Sequence, residues 1–154
     1  MIILLDIDGV LVTTPSWRST EILADGFMKF NDKAATNLQR LITETKAGII
    51  LTTTHRNIYS IDTWKSIFKQ RGILINSISK LNDKDPIQTM VDRATEIKEW
   101  FGNGGNKHNF VIIDDDLSLN GLPTALKDRC VMTRPLIGLD EEATTNALKI
   151  LQKN

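Results

Sequence analysis

Four runs along the chain are apolar and β-branched without polar alternation: residues 2–7, 48–53, 109–113 and 130–133. A weaker candidate lies within 73–78. Uninterrupted runs of this kind predict strands buried on both faces. Between them the period becomes helical. Residues 31–46 place Ala34, Ala35, Leu38, Leu41 and Ile42 on one stripe, with Asn31 or Asp32 positioned to cap it. Residues 60–71 align Ile61, Trp64 and Phe68, and Gly72 supplies a stop. Residues 86–101 align Met90, Val91, Ala94, Ile97 and Trp100 before Gly102. A last helix from Asp140 buries Ala143, Ala147, Leu148 and Leu151.

Buried strands alternating with amphipathic helices predict an α/β protein, a Rossmann-like three-layer sandwich around a mainly parallel sheet. Residues 9–30 lack a period and are expected to form a flap over the strand tips. Residues 82–86 read as a polar loop. With no repeat, low-complexity tract or linker, residues 1–154 are expected to form a single domain with a full core.

Composition changes this picture little. Nineteen basic residues balance nineteen acidic ones, so no global field draws in nucleic acid or anionic lipid. A polyanion would need a local patch. Cys130 is the only cysteine, which excludes an internal disulfide and fits a reducing, cytoplasmic setting. The first residues carry acids where a signal peptide needs a cleavage site, and no apolar run approaches membrane length.

The chemistry lies where strands end. The opening run stops at Asp6 and Asp8, followed by Gly9. Strand residues two apart share a face, so both acids can project together, and Gly9 lets the backbone turn. Carboxylates this close require a shared proton or a cation, and Mg²⁺ suits an all-oxygen site that also takes a substrate phosphate. A second cluster, Asp114, Asp115 and Asp116, ends the run VIID; all three join one site only if the chain turns after Ile113. Between the clusters, GIILTTTHR ends in hydroxyls and a guanidinium, groups that suit a phosphate. In α/β sheets, ligands bind beyond the carboxyl ends of the strands, which is where these residues fall.

The order DIDGV, then a strand ending in Thr-x-Arg, then a strand ending in adjacent aspartates resembles the haloacid dehalogenase-like (HAD) phosphohydrolase superfamily. A closer likeness is to the HAD domain of Swiss Army Knife RNA repair proteins, carried by FNDKAATNLQRLITETKAGIILTTTHR, RATEIKEW and TRPLIGLDEEATTNALKIL. The resemblance implies a Mg²⁺-dependent phosphomonoesterase. Asp6 would be the nucleophile that forms an aspartyl-phosphate, and Asp8 the acid that protonates the leaving oxygen and then activates water. Thr54 and Arg56 would bind the phosphate, and Arg93 would neutralise its charge. Asp6, Asp8, Asp115 and Asp114 would hold the metal; a one-residue shift would bring in Asp116 instead. His55 stands where relatives have Trp or Gly, and Val10 replaces the commoner Thr.

Other residues read more simply. Thr52 and Thr53 are taken as ordinary strand residues and Asp116 as a solvated acid. Trp64 and Trp100 fall on apolar helix faces. Trp17 lies in the flap, where a substrate contact is open. The stretch GNGG at 102–105 leads into a strand and reads as a loop, and His108 lies at the strand end away from the tips. No segment has room for a large cap domain, so the site is expected to be open to a bulky end, such as a nucleic-acid terminus or a nucleotide. The alternatives are a receiver-like domain, disfavoured because the adjacent acids come late, and a catalytically silent HAD-fold binding module in a repair or regulatory assembly.

Overall fold

A computed structural model describes residues 1–15, 17–82 and 92–153. Strands β1 (Ile2–Leu5), β2 (Gly48–Leu51), β3 (Ile78–Lys80), β4 (Phe110–Asp114) and β5 (Cys130–Met132) form one sheet in the order β3-β2-β1-β4-β5. Every neighbouring pair is parallel. The helices are α1 (Asp32–Thr45), α2 (Ile61–Gln70), α3 (Arg93–Gly102), a short α4 (Thr124–Lys127) and α5 (Glu141–Gln152).

The unbroken apolar runs of β1 and β4 feed a core on each face of the sheet. Ile3, Leu5, Val111 and Ile113 pack with residues of α1, α2 and α5. Leu4, Phe110 and Ile112 point the other way, toward Ala94 and Ile97 of α3 and Leu126 of α4. The period-2 geometry of a strand sends alternate side chains to opposite faces, which is why both strands are apolar up to the tip, where β4 ends in Asp114. The result is the three-layer α/β arrangement expected. Truncating Leu4 or Leu5 to Ala, both fully buried, would cost about 2–5 kcal/mol.

Strand order reverses at β1. The chain moves outward from β1 through β2 to β3, then crosses to β4 on the other side of β1 and on to β5. The carboxyl ends of β1 and β4 thus flank the crevice where such sheets bind ligands. Pairing continues one residue beyond the strands: Asp6 N–H donates to the Ile113 carbonyl (3.1 Å) and Thr52 N–H to that of Leu5 (2.9 Å).

Side-chain caps set the helix starts. Asn31 accepts from the Ala34 amide at α1, Ser60 from Thr63 at α2 and Asp140 from Ala143 at α5. The start of α3 corrects the sequence reading. Asp92 is extended and accepts from the Thr95 amide at 2.8 Å, so α3 begins at Arg93 and the expected helix does not run unbroken through Asp92. Pro86, Met90 and Val91, and most of the expected polar loop at 82–86, lie outside the described residues. The weak strand also moves: Ile73 closes the end of α2 by donating to the Phe68 carbonyl, and Ile78–Lys80 pairs with Ile49–Leu51 instead.

Residues 9–30 are mostly irregular, with an isolated bridge between Ile22 and Met28. The later part is tied to α2. Phe27 packs edge-on against Trp64 at 5.3 Å, and the Arg71 guanidinium bonds Asp25 twice (2.6 and 3.0 Å) while lying over Phe30. Trp64 is fully buried, as its helix face implied, and Trp100 packs edge-on against Phe110.

Candidate active site

Beyond β1, Asp6 is 5% exposed. The carboxylates of Asp6, Asp114 and Asp115 offer oxygens within 4.8 Å of one another, the grouping among the described residues that could hold a metal ion. Adjacent Asp114 and Asp115 can both join because β4 runs one residue past Ile113 and then turns sharply. The turn is built by Asp114 itself, whose Oδ1 accepts from the amides of Asp115 (2.8 Å) and Asp116 (3.0 Å). Asp116 then caps the following 3₁₀ turn by accepting from Ser118.

One guanidinium faces these acids. Arg93, the first residue of α3, is buried, pairs with Asp114, and stands 3.7 Å from Asp6 and 3.3 Å from the Thr52 hydroxyl. Among the described residues, three carboxylates against one cation leave a negative surplus in a poorly hydrated place. Burial, then the charge of Asp114, push the Asp6 carboxyl up to about 9, with Arg93 opposing. Burial and Asp114 also raise Asp115. Burial works against the Arg93 charge, but Asp114 and Asp6 outweigh it and hold the guanidinium above its ordinary pKa.

Asp8, expected as a fourth ligand, lies outside this set. Its side chain is 53% exposed, and Oδ2 is 2.9 Å from Nε2 of His55. Gly9 follows with φ of +79°, a conformation L side chains rarely adopt, and a Cβ there would overlap the Asp115 carboxylate. The Thr133 hydroxyl at the β5 tip donates to the Gly9 carbonyl at 2.7 Å and fixes this close approach.

Thr54 is exposed and opens the 3₁₀ turn Thr54–Asn57, capped by the Thr53 hydroxyl. Arg56, on the same turn, is buried. Its Nε donates to the Leu81 carbonyl, its Nη1 to those of Thr52 and Thr53, and its Nη2 pairs with Glu96. The guanidinium thereby ties the ends of β2 and β3 to α3.

The sequence reading passed over Thr52, Glu96 and Thr133. Thr52 sits one residue past the Leu5–Leu51 register pair, level with Asp6, so counting along paired strands would have found it. Glu96 follows Arg93 by one helical turn beside Ala94 and Ile97, a polar residue on an apolar stripe. Thr133 leaves no comparable trace, because its partner is a backbone carbonyl.

Residues 2–144 match the family described as the HAD domain in Swiss Army Knife RNA repair proteins. The chain belongs to that family. No curated protein and no solved structure matches it significantly. A HAD domain is a phosphatase-type hydrolase domain, and the buried acids at the switch point of this one are compatible with such chemistry. Among the described residues of the HAD domain, no helix is long and apolar enough to cross a membrane.

Proposed function

We propose that the chain is a Mg²⁺-dependent phosphomonoesterase that works through Asp6 on nucleotides or nucleic-acid ends. The observation that carries this reading is the convergence of Asp6, Asp114 and Asp115 beside Arg93. The donor set is all oxygen and over-supplied with negative charge, which fits a hard divalent cation. Asp6, Asp114 and Asp115 would hold it. Bound there, Mg²⁺ would neutralise the acids and polarise the phosphoryl oxygens.

The residues then divide the work. An Asp6 oxygen attacks phosphorus while the bond to the leaving oxygen breaks, and Asp8 gives that oxygen its proton. In the second half, water attacks the phosphorus of the aspartyl-phosphate, Asp8 takes the water proton, and the Asp6 carboxylate leaves. The exposure of Asp8 supports this role, since it must exchange protons with substrate and water. Arg93 and the Thr54 hydroxyl would bind the transferring group. Arg56 serves by position, because its donors are committed to Thr52, Thr53, Leu81 and Glu96. The nucleic-acid substrate class is supported by the repair family to which the chain belongs.

Phosphate release from 3′- and 5′-phosphorylated oligonucleotides and mononucleotides, in Mg²⁺ and in EDTA, tests the proposal. Metal-dependent release from this panel is expected. Indifference to every member would remove the nucleic-acid assignment, and absence of release from 4-nitrophenyl phosphate as well would leave a binding module.

A further inference from the structure

Beside the acids the surface opens into a cleft of about 360 Å³. Asp8, Gly9 and Asp115 form one end, and the rest is lined mainly by apolar side chains, Pro15, Trp17, Pro135 and Leu136 among them, with Thr14 and Thr20 adding two hydroxyls. Trp17 is 77% exposed and Leu136 57% exposed. Among the described residues the Trp17 ring has no aromatic partner, whereas Trp64 packs against Phe27, Tyr59 and Phe68 and Trp100 against Phe110. Among the described residues no lysine or arginine lines the cleft.

We infer that this cleft is a nucleobase subsite and that Trp17 is its stacking platform, setting preference for phosphate esters that carry a heterocycle. The inference rests on the proposed phosphoryl transfer at Asp6, which places the phosphate at the acidic end. Three features select the occupant. The reacting end adjoins the apolar walls, so whatever hangs from the phosphate on the Asp8 side enters the cleft. The described residues of the walls carry no positive charge, which suits an uncharged ring and not a second phosphate. The volume lies near the lower end for small-molecule pockets, about 300–1,000 Å³, room for one nucleoside and no longer stretch. Proline rings and an indole are rigid, so a base stacking there would order few side chains. An acidic chain terminus or a sugar phosphate lacks the flat face that Trp17 offers.

The test compares adenosine 5′- and 3′-monophosphates with ribose 5-phosphate in native protein, Trp17→Ala and Trp17→Phe. The native protein should prefer an adenosine ester, mainly through KM. Trp17→Ala should cut the preference ratio about tenfold, the scale of one lost base stack, and Trp17→Phe should restore most of it. A native protein with no preference for the base, or a ratio that Trp17→Ala leaves intact, would overturn the inference while leaving the phosphatase standing. Tryptophan fluorescence separates the two ideas. Adenosine monophosphate should quench a signal that disappears in Trp17→Ala, whether or not turnover occurs. Saturable quenching without phosphate release would keep the subsite and remove the phosphatase; no Trp17-dependent quenching would remove the subsite.

Discussion

Nε2 of His55 lies 2.9 Å from Oδ2 of Asp8, and this one bond orients the exposed acid of the opening motif. A carboxylate accepts and a carboxylic acid donates, while the imidazole can do either according to its tautomer. His55 can therefore hold Asp8 in the same place before and after proton transfer. Phe27 packs edge-on against the ring at 5.8 Å and limits its motion.

Removing the acid itself should be severe. Asp8→Asn keeps the shape but cannot give or take the proton, so kcat should fall by about 10²–10⁴. His55→Ala should cost about tenfold, since it loosens the acid without deleting it. Steady-state rates on an alkyl phosphate and on 4-nitrophenyl phosphate check the assignment. The loss should be smaller for 4-nitrophenyl phosphate, whose leaving group needs little protonation.

Metal and proton should compete at Asp6. Its folded pKa, about 9 in the cation-free protein, stands far above the unfolded value of about 3.9. Between those values the folded state keeps a proton that the unfolded state releases. Stability in EDTA should therefore be greatest on the acid side and fall as pH rises toward about 9. The Tm gain from added Mg²⁺ should grow over the same window. Asp6→Asn, a neutral mimic of the protonated acid, should flatten both trends in thermal melts at about pH 6 and about pH 8.5.

The Arg56–Glu96 pair is buried on both sides, so breaking it by Glu96→Ala should cost about 3–5 kcal/mol. Denaturant unfolding should show a lower midpoint. A double variant, Glu96→Leu with Arg56→Met, should regain part of the loss because it leaves no lone charge.

Gly9→Ala should damage both fold and site. The positive φ costs about 1–2 kcal/mol, and the new methyl displaces Asp115. Urea titration should report the first effect, and a higher Mg²⁺ requirement for activity the second.

How much of this was legible in the sequence depends on where each interaction is encoded. Asp6 and Asp114 could be read because an acid ending an apolar strand is costly without a task. The layers followed from runs such as Ile2–Leu5, whose residues must satisfy two faces at once. The true start of α3 was hidden because Met90 and Val91 extend the apolar period while Asp92, a good cap, interrupts it. The commitment of Arg56 was hidden because three of its acceptors are backbone carbonyls, which carry no sequence signature. Glu96 sits on an apolar stripe beside Ala94 and Ile97, but its partner Arg56 is forty residues away in sequence and only the fold brings the two together.

The central claim is that Asp6 attacks phosphorus. Acid-quenched single turnover with a radiolabelled phosphate ester and Mg²⁺, followed by peptide mapping, tests it most directly. Label should appear on the peptide holding Asp6, decay as free phosphate forms, and be absent in Asp6→Asn. Phosphate released at the native rate by Asp6→Asn, with no labelled peptide in either protein, would contradict the account.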